Sequence, residues 1–262
     1  RSNFATVTFN VTDGYITIDP IDVTVTVTGH NSKVDYDGKA HTVTGYDAEF
    51  STPLYTEADF TFSGTAQATQ TDAGTAKMGM TASQFTNINE NFATVTFNIT
   101  DGYITVDPID VTVTIVGDST TADYDGDTHI AYEYAATADT ELYNVEKDFT
   151  FISTAYADRV DAGVTYMGMK PEHFENINDN FDDVTFVVTD GYVRIDPIST
   201  TVTITGSNGT AVYDGTAHIV SGYDAVADSD LYDVTKDFAF TGTAQAKQTD
   251  AGTAYMGLAP ED

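Results

Sequence analysis

Hydrophobic and polar residues alternate without interruption in several stretches of the chain. In ATVTFNVT (5–12), Val7, Phe9 and Val11 fall on one side and Thr6, Thr8, Asn10 and Thr12 on the other; IDVTVTVTG (21–29) likewise opposes Val23, Val25 and Val27 to Thr24, Thr26 and Thr28. A period of two belongs to an extended strand with one packed face and one wet face. Such one-sided alternation predicts antiparallel sheets, because parallel sheets are buried on both faces. Each inward Val or Phe contributes roughly 1.5–3 kcal/mol when fully buried, and outward threonine favours strands while staying soluble. Gly-containing turns, TDG at 12–14, DYDG at 35–38 and TDAG at 71–74, separate the strands. Helical signal is confined to TASQF (81–85) and KPEHF (170–174), where Pro171 suits a first helical position and a single turn is expected.

The whole pattern recurs. YDG stands at 36–38, 124–126 and 213–215, DAG at 72–74, 161–163 and 250–252, and DGY at 13–15, 101–103 and 190–192, always 88 or 89 residues apart. Residues 3–29 and 91–117 agree at 23 of 27 positions. A fixed period of this size marks a structural module. The expected fold is therefore all-β: a tandem array of three β-sandwich (Ig-like) modules forming an elongated rod, with β-grasp-like small-sheet modules as the alternative. Repeat 1 runs over 21–108, repeat 2 over 109–197 and repeat 3 over 198–262, the last lacking its final hairpin, while residues 1–20 read as the C-terminal hairpin of a preceding repeat. Asp19-Pro20, Asp107-Pro108 and Asp196-Pro197 leave almost no linker. Proline fixes its own φ and extends the residue before it, so little slack is expected between modules.

The extra hairpin and the missing one match, which leaves two readings. Either the module boundary lies near NINEN (87–91), making three whole modules, or residues 3–19 of one molecule complete 198–262 of the next. The second reading is strand addition to an open sheet edge, and its repetition gives a head-to-tail filament. Arg1-Ser2 stands where the other repeats carry Asn-Glu and Asn-Asp, as an expression remnant would.

The motifs DYDGKAHTVTGYD, TDAGTAKMGM, NINENF and DGYITVDP follow one another through the first full repeat. In this order they resemble the tandem MBG or YDG-type repeats of bacterial cell-surface adhesins. The resemblance covers nearly the whole chain and is carried by turn and strand residues. It implies an extracellular, cell-surface or cell-wall location and a stalk-like role in a larger protein, and it brings no catalytic residues.

Charge narrows the partners. The chain has 41 acidic and 10 basic residues, a net charge of −31. Nucleic acid and anionic membranes repel such a surface, and no apolar run is long enough to span a bilayer. With no cysteine there is neither a disulfide framework nor a thiolate.

Candidate chemistry is sparse. His41, His129 and His218 share the position YDG-x-x-H; without convergent partners they read as histidines bonded to a turn carbonyl or to the nearby Asp, not as metal ligands or bases. No serine-hydrolase, zinc-protease or phosphate-loop motif occurs, and an enzyme is not expected. Calcium is the one cofactor considered: NINDNFDD gathers Asn176, Asn178, Asp179, Asp182 and Asp183 as hard oxygen donors, with Asn178, Asp179, Asp182 and Asp183 as the candidate set. The other reading is an Asn-rich turn bonding its own backbone, and NINENFAT (87–94) lacks the last two carboxylates. Lys147 and Lys236 are equivalent, but Ala58 replaces them in repeat 1, so a crosslink common to all modules is not expected. Tyr15, Tyr103 and Tyr192 read as caps on a sandwich core or as sugar-stacking residues.

The expected function is a structural stalk or spacer, with neighbouring repeats as the main partners. The alternatives are an adhesive repeat holding glycan, mucin or a host matrix protein, and a filament subunit completed by strand exchange with copies of itself. Residues 131–146, AYEYAATADTELYNVE, diverge most between repeats and are the candidate ligand loop.

Overall fold

The computed structural model describes residues 3–260, and among these the chain is all-β, with three single 3₁₀ turns (Glu57–Asp59, Ala82–Gln84 and Pro171–His173) and no α-helix. Repeat 1 holds β1 (Ile21–Gly29), β2 (Asn31–Asp35), β3 (His41–Thr44), β4 (Tyr46–Phe50), β5 (Phe60–Phe62), β6 (Gln67–Gln70), β7 (Gly74–Lys77), β8 (Phe85–Asn87), β9 (Phe92–Thr100) and β10 (Tyr103–Asp107). Repeat 2 holds β11 (Ile109–Gly117), β12 (Ser119–Asp123), β13 (His129–Tyr132), β14 (Tyr134–Ala138), β15 (Phe149–Phe151), β16 (Tyr156–Arg159), β17 (Gly163–Tyr166), β18 (Phe174–Asn176), β19 (Phe181–Thr189) and β20 (Tyr192–Asp196). Repeat 3 keeps β21 (Val202–Gly206), β22 (His218–Ser221), β23 (Tyr223–Ala227) and β24 (Gln245–Gln248).

In repeat 1 the sheets are small and mixed. β1 lies between β4, antiparallel, and β9, parallel; β10 lies between β2, parallel, and β7, antiparallel. The purely antiparallel expectation is thereby corrected. Alternation reports which face is buried, not which way a neighbour runs, and the long excursion from β1 to β9 lets the chain return in the same direction. Val23, Val25 and Val27 on β1 pack with Tyr55, Phe60, Phe85 and Phe92 into one core, and Val43, Ala68 and Ile104 form a second with Ala76 and Met78 beside it. On the wet faces threonine hydroxyls bond across strands, Thr42 to Thr69 at 2.8 Å and Thr75 to Thr105 at 2.9 Å.

The DGY turn between β9 and β10 closes the repeat by close backbone approach. A Cβ added to Gly29 would collide with the backbone of Gly102, and one added to Gly102 would collide with the His30 carbonyl. Asp101 fixes this turn by accepting hydrogen bonds from the amides of Gly79 and Met80, each 3.0 Å away. Asp190 does the same for Gly168 and Met169 at 2.9 and 3.0 Å.

Residues 3–20 correct another expectation. ATVTFNVT was read as a strand with Val7, Phe9 and Val11 packed, yet 3–20 form no strand and every residue is exposed. The matching stretch at 93–100, with Ile99 in place of Val11, is part of a strand because β1 stands beside it there. Alternation supplies a face for burial; the burying partner must come from elsewhere. Arg1 and Ser2, read as a remnant, lie outside the described residues.

Contacts divide the chain into two compact units, one of Arg1–Val113, Ala138–Thr150 and Glu175–Phe186, the other of Thr114–Thr137, Phe151–Phe174 and Val187–Asp262. The division passes through repeat 2. Each unit therefore contains one junction between successive repeats.

Candidate functional site

The YDG-x-x-H histidines meet the Asp of the same motif. His41 Nε2 lies 2.8 Å from Asp37, His129 Nε2 3.1 Å from Asp125 and His218 Nε2 3.1 Å from Asp214. Each Asp also accepts a backbone N–H two residues on, from Lys39, Asp127 or Thr216. The hydrogen bond from His41 first, then that from the Lys39 amide, holds the Asp37 carboxyl below its ordinary range. These pairs staple a turn, and at Asp37 the Lys39 ammonium stands 3.6 Å from the same carboxylate.

The Asn-rich segment is likewise taken up locally. The amide of Asn178 bonds Asn176 Oδ1 at 3.2 Å, the amide of Asn180 bonds Asn178 Oδ1 at 3.0 Å, and Asn176 Nδ2 donates to the carbonyls of Asn178 and Phe181. Asn178 is half-buried, while Asp179, Asp182 and Asp183 are exposed. Among the described residues no group of three or more His, Asp or Glu side chains is arranged to hold a metal ion. Of the three tyrosines weighed for sugar stacking, Tyr192 meets Tyr166 edge-on, with ring centroids 5.9 Å apart, Tyr103 is partly exposed and Tyr15 is exposed.

What this segment does reach is the preceding repeat. Asn180 Oδ1 accepts a hydrogen bond from the amide of Ala73 at 2.6 Å, and its Nδ2 donates to Asp72 at 3.2 Å. The next residue, Phe181, is buried, with the ring of Tyr36 edge-on at 5.7 Å and that of Tyr143 edge-on at 4.8 Å. Burial first, then the negative charges of Asp72 and Asp148, raise the Tyr36 phenol above its ordinary pKa. Residues from both repeats therefore share one contact, inside the first unit.

A Leu-Tyr pair completes that contact, and the sequence reading missed it. Leu54-Tyr55, Leu142-Tyr143 and Leu231-Tyr232 occupy one position in the three repeats. The tyrosine belongs to its own repeat: Tyr143 is buried, and its hydroxyl donates to the Asp148 carbonyl at 3.0 Å and to Asn176 Oδ1 at 3.2 Å. Burial, and then the Asp148 charge, push its pKa up to about 12. The leucine belongs to the junction. Leu142 Cδ2 would lie 3.2 Å from a Cβ on Gly38, and Leu231 Cδ2 3.0 Å from one on Gly126, whereas a Cβ on Gly215 would meet nothing within 4 Å. These glycines also have φ of 73°, 81° and 79°, a region that costs a side chain strain. The YDG glycine is thus small for the turn in every repeat, and for the next repeat's leucine in the first two.

The divergent stretch 131–146 accordingly carries Leu142 into the junction and Tyr143 into the core. The pattern that would have found the pair is a Leu-Tyr dipeptide at constant phase inside an otherwise variable loop. Comparison with family models, with curated proteins and with solved structures finds no match for this chain.

Proposed function

We propose that the chain is a run of structural stalk or spacer repeats from an extracellular surface protein, three small β-sandwich modules following one another as a rod. The observation that carries this reading is the junction: a two-residue Asp-Pro connection reinforced by the Asn180 bridge to Ala73 and Asp72 and by Leu142 against Gly38. Contacts of this kind between successive repeats restrict bending, the property a spacer needs and an enzyme does not. The resemblance to MBG or YDG-type adhesin repeats supports the cell-surface or cell-wall location. An adhesive role would place its contact at 131–146, but the junction and the core already occupy Leu142 and Tyr143.

Small-angle scattering on arrays of increasing repeat number tests the reading. The maximum dimension should grow by one constant increment per repeat. Growth with the square root of repeat number, as a flexible string gives, would refute it. Specific binding of a glycan or matrix protein by the three-repeat chain would move the assignment to the adhesive alternative.

A further inference from the structure

We infer that the outer face of the β13–β16 sheet in repeat 2 is a docking surface for an extended, arginine-bearing polypeptide. The inference does not depend on the stalk reading, since stiffness between repeats and a binding face on one of them are separate properties.

β13 and β16 pair antiparallel, with Ile130 opposite Asp158 and Tyr132 opposite Tyr156. The intervening Ala131 and Ala157 face inward and pack with Val193 and Ile195, so Ile130, Tyr132, Tyr156 and Asp158 share the outer face. Its three large side chains are left open to solvent: Ile130 is 46%, Tyr132 52% and Tyr156 50% exposed. The fold does not ask for them. Repeat 1 has Thr42, Thr44, Gln67 and Thr69 at these positions, and repeat 3 has Ile219, Ser221, Gln245 and Lys247. The tyrosine pair and the carboxylate are thus particular to repeat 2. In repeat 1, which a complete repeat follows, Thr42, Thr44 and Gln67 are exposed as well, so this face stays open inside a tandem array.

A strained residue adjoins the pair. Glu133, immediately after Tyr132, has a φ of 73° and is the one non-glycine residue at positive φ among the described residues. Repeats 1 and 3 have Gly45 and Gly222 there, at 91° and 95°. Glycine adopts this region without steric cost and glutamate does not. Stability alone therefore favours glycine, and what glutamate adds is an exposed carboxylate at the end of the tyrosine strand. Among the described residues neither its side chain nor that of Asp158 has a hydrogen bond or ion pair. The arginines of repeat 2 are held elsewhere: Arg159 donates to the carbonyls of Asp161 and Ala162 and to Thr165 Oγ1, and Arg194 Nε to Asp196 at 2.7 Å.

Aromatic rings beside unpaired carboxylates recognise a planar cation, because a guanidinium stacks on a tyrosine face while its N–H groups donate to a carboxylate. The wider charge selects in the same sense, with 19 acidic and 4 basic residues over 109–197. A second copy of this face would set Asp158 and Glu133 against their own kind, and a neutral sugar would use the rings but none of the charge. An open sheet face does not enclose a small cation, whereas an extended chain covers it. Successive outward positions on a strand lie about 6.8 Å apart. Arginines two residues apart therefore set one guanidinium on the tyrosine pair and the next beside Asp158.

Calorimetric titration of the full chain in about 0.15 M salt with a synthetic peptide containing Arg-Thr-Arg-Thr-Arg should show saturable binding. Nuclear magnetic resonance should show the ring signals of Tyr132 and Tyr156 moving together as the peptide is added. Tyr132→Thr combined with Tyr156→Gln installs the residues that repeat 1 carries on the same strands; circular dichroism should be unchanged and binding about tenfold weaker, the loss expected of stacking on two rings. Asp158→Lys, the residue of repeat 3, should also weaken it, and a peptide with lysine in place of arginine should bind the parent chain less tightly. Binding that the double variant and Asp158→Lys both leave unchanged would mark diffuse attraction to a chain of net charge −31 and overturn the inference. The absence of saturable binding, or displacement of the peptide by a neutral oligosaccharide such as maltohexaose, would overturn it equally.

Discussion

Replacing Asn180 by Ala isolates the bond between the first two repeats. It removes the hydrogen bond from the Ala73 amide, at 2.6 Å, and the one to Asp72, at 3.2 Å. A net hydrogen bond contributes about 0.5–1.5 kcal/mol, and a part-buried amide left without a partner adds to the loss, so the expected cost is about 1–3 kcal/mol. For a unit of this size that is a fall in melting midpoint of about 3–10 °C. The chain contains its own control. Asn91 occupies the same position in repeat 1 and is exposed, and among the described residues only its backbone groups make hydrogen bonds, the amide to Asn89 Oδ1 and the carbonyl to the Ile21 amide. Asn91→Ala should stay within about 0.5 kcal/mol, as surface changes do. Denaturant unfolding of the full chain measures both, and a double-mutant cycle with Asp72→Ala reads the pairwise part, expected at about 0.5 kcal/mol or more. Equal costs for Asn180→Ala and Asn91→Ala would refute the claim that the bridge couples the repeats.

Three further outcomes follow from particular residues. Gly38→Ala should destabilise more than Gly215→Ala in thermal melts: both sit at positive φ, where a side chain costs roughly 1–2 kcal/mol, but of the two Gly38 also faces a leucine of the following repeat. Tyr143 titrates late, since its phenol in the folded chain is pushed up to about 12. The unfolded phenol ionises near 10, so this contribution is intact below that pH and is lost as pH rises from about 10 through 12; ultraviolet titration should show a late phenol that Tyr143→Phe removes. Because the net charge is −31, added salt should raise the melting midpoint, as screening beyond about 8 Å relieves self-repulsion at physiological ionic strength.

The legible part of the fold was the part written locally. Val23, Val25 and Val27 announced a one-sided strand, and Pro171 and Gln84 lie in the single turns expected of their segments. Strand direction was not legible, because β1 finds its parallel neighbour some seventy residues away and side-chain alternation is identical in both directions. The 5–12 stretch shows the same limit from the other side: its pattern equals that of β9, and only the presence of β1 separates strand from exposed chain. At the candidate site, the Asx turns of Asn176 and Asn178 were a stated alternative to a calcium site. Asn180 was overlooked, since two of the three asparagines bond the next turn of their own loop and nothing in the spacing says that the third reaches back more than a hundred residues.

Sequence variation between repeats also acquires a physical meaning. A stalk was expected to repeat itself, and a binder to diverge in one exposed loop; residues 131–146 diverge, which taken alone favours the binder. Inside that stretch, however, Leu142 and Tyr143 keep their phase, one against Gly38 and the other in the core. What varies is the chain around them, which changes from STPLYTEAD to TELYNVEKD to SDLYDVTKD. The constraint therefore falls on the two side chains that join and anchor the repeat, while the loop that carries them drifts. A ligand-selected loop would show the reverse, with exposed side chains held in place and their supports free to change, so the divergence at 131–146 sits more easily with a spacer than with a receptor.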